Sequence, residues 1–87
     1  MAPEIEKLIR DKVDEFKAKG KKLQRGNAAT CLIGSIGGYV EANKIFGTEI
    51  TIALECGFEG FNIGKSSRTH FEYYELGRKI AEENGIK

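Results

Sequence analysis

Histidine and cysteine are scarce in this chain, and their scarcity bears first on the chemistry it can host: the 87 residues hold one histidine, His70, and two cysteines, Cys31 and Cys56. One imidazole and two separated thiols do not complete the usual tetrahedral metal set, and no nucleophile stands with a base or a pair of carboxylates in a recognisable catalytic pattern. The sequence therefore points away from an enzyme and implies no cofactor. Each cysteine sits inside an apolar run without metal-type spacing, which predicts two buried thiols rather than a disulfide. His70 falls in the first turn of a predicted helix and reads as a surface residue.

Proline is almost missing, with one residue at position 3, and no low-complexity run occurs. With 40% apolar and 31% charged residues, the composition is that of a folded domain. No apolar stretch nears the ~20 residues of a membrane helix. The segment Met1-Ala2-Pro3-Glu4 lacks the basic and hydrophobic regions of a signal peptide, so the cytoplasm is the expected compartment. Residues 1–87 are expected to form a single α+β domain around one modest core.

Ile5, Leu8, Ile9, Val13 and Phe16 recur at helical spacing, which predicts a first helix from Pro3 to Lys19 closed by Gly20. From Ala28 to Ile63 the texture changes to β-branched and aromatic residues broken by glycines. Over Glu49 to Phe58, Ile50, Ile52, Leu54, Cys56 and Phe58 alternate with Glu49, Thr51, Ala53, Glu55 and Gly57, the period of a half-buried strand. A turn at Glu59-Gly60 would place Phe58 across from Phe61 and Cys56 across from Ile63, with both pairs buried. Thr30 to Ile36 and Tyr39 to Phe46 would form a further hairpin around Gly37-Gly38. Tyr39, Ala42 and Phe46 also fit a short helix, which competes with that strand.

At the other end, Thr69 with Glu72 has the form of a capping box, ahead of the stripe Tyr73, Leu76, Gly77 and Ile80 and the stop Asn84-Gly85-Ile86. A last helix over Ser67 to Asn84 follows, with Gly77 marking a close approach to the sheet or the first helix. The expected architecture is an antiparallel four-stranded meander flanked by N- and C-terminal helices, in the order α-β-β-β-β-α.

Gly34-Ser35-Ile36-Gly37 has the form of a GxxG loop, and the run Leu32 to Val40, followed by Gly47-Thr48-Glu49-Ile50, faintly resembles the core of the KH RNA-binding domain. The placement of Gly64-Lys65-Ser66-Ser67-Arg68 before the last helix is faintly similar to double-stranded-RNA-binding domains. The first loop has no basic residue and the second segment no lysine pair, so the glycines are read as turn formers and neither family is assigned.

Charge of one sign is also lacking in total, with 14 basic against 13 acidic residues, but not in distribution. Lys17, Lys19, Lys21, Lys22 and Arg25 cluster from the end of the first helix to the start of the first predicted strand, with no acid among them. In a four-strand meander Lys65, Ser66, Ser67 and Arg68 would join them at one pole, with the amides of the last helix, while Glu4, Glu6, Glu59, Glu82 and Glu83 collect at the other. Such a basic pole predicts a non-enzymatic binding protein for an anionic partner, nucleic acid foremost. The alternative is a protein-binding regulator or small inhibitor, with a second copy of the chain among its partners, acting through Phe71, Tyr73 and Tyr74 or an exposed sheet edge.

Overall fold

The computed structural model describes residues 3–61 and 70–86. Among these residues five α-helices form: α1 (Pro3–Ala18), α2 (Ala28–Ile36), α3 (Tyr39–Phe46), α4 (Thr48–Glu59) and α5 (Phe71–Glu83). Among the described residues there is no strand. The expected α-β-β-β-β-α meander is therefore incorrect, and its first three strands are α2, α3 and α4. For the fourth, Phe61 is irregular, and Asn62 and Ile63 lie outside the described residues.

The alternation over Glu49 to Phe58 misled for a physical reason. Helix α4 packs against α2, α3 and α5, and the residues it buries, Thr51, Ala53, Leu54, Gly57 and Phe58, share one face of the helix. Three of those five are Thr, Ala and Gly, so the buried face carries little hydrophobic signal, while the larger apolar side chains fall at alternate positions and mimic a strand. Ile52, which the strand reading places in the core, is 47% exposed. Gly60 has the left-handed conformation a tight turn would also require, but here it closes α4, with its N–H donating to the Cys56 carbonyl. Phe58 is buried while Phe61 is 59% exposed, so the pairing of the two does not exist.

The terminal helices are closer to expectation. Pro3 opens α1, Glu4 and Glu6 lie in its first turn, and Ile9 and Val13 are buried from it. Helix α5 ends as its sequence predicts: the Ile86 N–H donates to the Ala81 carbonyl at 2.9 Å, and Ile86 is buried. The start of the predicted last helix, including Thr69 of its capping box, lies outside the described residues.

The tightest interface is that of α4 with α5. A Cβ placed on Gly57 would collide with the Tyr74 backbone carbonyl, and one on Gly77 would lie 2.7 Å from that of Leu54. Gly77 marks a close approach, but to α4 rather than to a sheet or to α1. The two glycines let the helix backbones meet, and Leu54, Phe58, Tyr74 and Ala81 are buried with them. Tyr73 and Tyr74 are both buried, although adjacent positions differ by about 100° around a helix. Helix α5 buries a wide arc that includes Leu76, Gly77, Ile80 and Ala81.

Candidate functional site

The basic segment lies where three helices end. Lys17 is in the last turn of α1, and its ammonium donates to Asn84 Oδ1, just beyond α5, at 2.9 Å. Arg25 lies against Gly60, the cap of α4: a Cβ on Gly60 would be 3.2 Å from the guanidinium carbon. The C-termini of α1, α4 and α5 thus share one end of the molecule, and residues 17–25 run across them. Carbonyls at a helix C-terminus carry about half a negative charge, which favours cations there.

Two recesses open at this end and meet at Ile86. One, of about 200 Å³, is lined by Lys17, Lys21, Lys22, Leu23, Asn84, Gly85 and Ile86. Its neighbour, of about 300 Å³, includes Arg25, Gly60, Tyr74, Arg78, Glu82 and Ile86 in its wall. Lys17, Lys21, Lys22 and Arg25 are all exposed, and none has a carboxylate partner among the described residues. Lys21 holds its ammonium 5.7 Å from the centre of the Phe16 ring. Lys19 is engaged by Glu15 at 3.4 Å, and Lys12 by the same carboxylate at 3.3 Å. Those two ammoniums pull the Glu15 carboxyl below its ordinary range, Lys12 most strongly.

The expected acidic pole forms only in part: Glu6 shares a recess with Glu82, and Arg10 bridges Glu6 to Glu83. Glu83 accepts from Arg10 at 2.7 Å and Glu82 from Arg78 at 3.2 Å, and both precede Asn84, which Lys17 engages at the end of α5. Glu59 adjoins the Gly60 cap, where burial and then Glu55 push its carboxyl up. In the meander Glu59 would stand opposite the basic loop; here it adjoins the cap against which Arg25 lies. The convergence of Lys65 and Arg68 on this end loses its premise with the sheet, and Lys65, Ser66, Ser67 and Arg68 lie outside the described residues.

Of the proposed protein-contact residues, only Phe71 is exposed; its ring stacks on Tyr74 at 5.6 Å, and neither Tyr73 nor Tyr74 faces outward. The exposed sheet edge invoked for a protein partner has no counterpart among the described residues. Cys31 and Cys56 are free and half-buried rather than fully buried. Burial, with Glu55 and Glu59 nearby, pushes the Cys56 thiol up, away from a reactive thiolate. His70 caps α5 and lies 2.8 Å from Glu49, in the first turn of α4.

Sequence reasoning missed Asn84, Arg78 and Phe61 at this end. Asn84 follows α5 and Arg78 points from its flank, and neither position signals a shared recess until α1, α4 and α5 are assembled. No helix among the described residues is long and apolar enough to cross a membrane. No known family, curated protein or solved structure matches this chain.

Proposed function

We propose that this chain is a small non-enzymatic binding module, acting in the cytoplasm, whose basic end engages nucleic acid through phosphate contacts from Lys17, Lys21, Lys22 and Arg25. The observation that carries the reading is the set of three exposed ammoniums in one recess, with the Arg25 guanidinium beside it and no carboxylate neutralising them among the described residues. Four full charges outweigh the partial charges of the helix ends, which total about one and a half, together with Glu59, since Glu82 and Glu83 are matched by Arg78 and Arg10. Lys19 contributes less, because Glu15 holds it.

Fluorescence anisotropy with labelled single-stranded and duplex oligonucleotides tests the reading. Four phosphate contacts predict that log affinity falls against log salt with a slope of about −2.8 for a single strand and about −3.6 for a duplex. Replacing Lys21 and Lys22 together by Gln should reduce that slope by about 1 to 2. Absence of binding to either nucleic acid at low salt, or a slope the double variant leaves unchanged, defeats the proposal.

A further inference from the structure

We infer that the ligand of this basic end is single-stranded nucleic acid, its phosphates following the two recesses and one base stacked on Phe61; the inference rests on the nucleic-acid reading above. Phe61 is 59% exposed and directly follows Gly60, against which the Arg25 guanidinium lies. Its own N–H donates to the Cys56 carbonyl at 3.0 Å, so its backbone is pinned to the end of α4. The Phe61 backbone is therefore held one residue beyond the cap against which Arg25 lies, and most of the residue is in water. That combination is what sequence-tolerant single-strand binding uses: a basic groove for the backbone and a π-face for a base.

The other aromatic side chains at this end are not offered. Phe16 is half-buried with Lys21 over its ring, and Tyr74, in the wall of the second recess, is buried.

The shape of the surface also separates a single strand from a duplex. The cations are divided between adjoining concavities on the two sides of Ile86, with Lys17, Lys21 and Lys22 in one and Arg25 and Arg78 in the other. A single-stranded backbone bends from one residue to the next and can enter both. A duplex, whose persistence length is about 150 base pairs, cannot follow that relief, and its bases are already stacked. Arg78 is shared with Glu82 at 3.2 Å, so Arg25 supplies the principal charge of the second recess.

The test compares a labelled oligothymidylate of about 12 nucleotides with a duplex of equal length, for the full chain and for Phe61→Ala, Phe61→Tyr and the Lys21→Gln/Lys22→Gln pair. Because one stacked base contributes a discrimination of this size, Phe61→Ala should weaken single-strand binding about 5- to 100-fold while leaving the salt slope in place. Phe61→Tyr should restore it, since the ring is kept. Circular dichroism should report an unchanged fold for both variants, because the ring is mostly in water. Single-strand affinity unchanged in Phe61→Ala, or duplex bound as tightly as single strand by the unaltered chain, overturns this inference while leaving the lysine-dependent reading intact. Failure of the unaltered chain to bind either form overturns both.

Discussion

Gly57 and Gly77 do at the residue scale what no other side chain could do at those two positions. Each faces the backbone of the opposite helix, so an added methyl has nowhere to go except by moving α4 from α5. Gly57→Ala should destabilise the protein by about 1 to 3 kcal/mol or more, as overpacking does, and Gly77→Ala should follow it. Gly34, on the exposed side of α2, is the control: a Cβ there meets nothing within 4 Å, and Gly34→Ala should stabilise by up to about 1 kcal/mol through helix propensity. Urea denaturation of the three variants checks the ordering, and a Gly57→Ala protein as stable as the parent would contradict the interface. The sequence marked Gly77 because a glycine within a helical pattern is costly. It gave no such mark to Gly57, which falls within an apparent strand, where glycine alternation looks unremarkable.

At the scale of elements, α2 and α3 have nine and eight residues, too few to be stable helices in isolation. They persist because Ala28, Ala29, Leu32, Ile33, Ala42 and Phe46 are buried against the rest. Between α3 and α4 the chain has a single residue, Gly47, with φ 88° and ψ 149°, which ends one helix and begins the next. That region is essentially closed to side-chain-bearing residues and costs them about 1 to 3 kcal/mol. Gly47→Ala should lower the melting temperature, followed by far-UV circular dichroism, whose starting spectrum should be that of a helical protein. A β-dominated spectrum for the parent chain would refute the architecture. The competing helical reading of Tyr39 to Phe46 was legible in the spacing of Tyr39, Ala42 and Phe46, whereas α4 was not, because Thr51, Ala53 and Gly57 make up much of its buried face.

For the whole molecule, α1 is tied to the end of α5 by Arg10 with Glu83 and by Lys17 with Asn84, with Val13 and Ile80 lining the same recess as the first pair. The hydrogen bond from Arg10 holds the Glu83 carboxyl below its ordinary value of 4.5. A carboxyl depressed in the folded state contributes stability that is present above about pH 4.5 and is lost as pH falls through the lower folded value. Thermal melts at about pH 5 and about pH 3 should therefore show a smaller acid-induced drop for Arg10→Gln than for the parent chain. The side chains are 33% and 42% exposed, so the difference will be modest and will shrink further in high salt. Equal drops in the two proteins would remove this contact from the account of acid stability.

The same scale decides where the functional reading stands. The sequence alone determined the cluster Lys17 to Arg25, the opening of α1, the glycine stop of α5 and the paucity of metal-ligating and nucleophilic side chains, because each depends on residues near one another in the chain. Whether residues 28–59 became strands or helices was settled only by packing. A short apolar run bounded by glycines fits either backbone, and the contacts with α5 select between them. The direction of the helices then placed Glu59 beside the Gly60 cap that Arg25 lies against, set Glu82 and Glu83 just before the Asn84 that Lys17 engages, and left Phe61 one residue beyond that cap. Neither consequence could be read from spacing, since charge and aromatic neighbours at a surface are fixed by which helix ends meet.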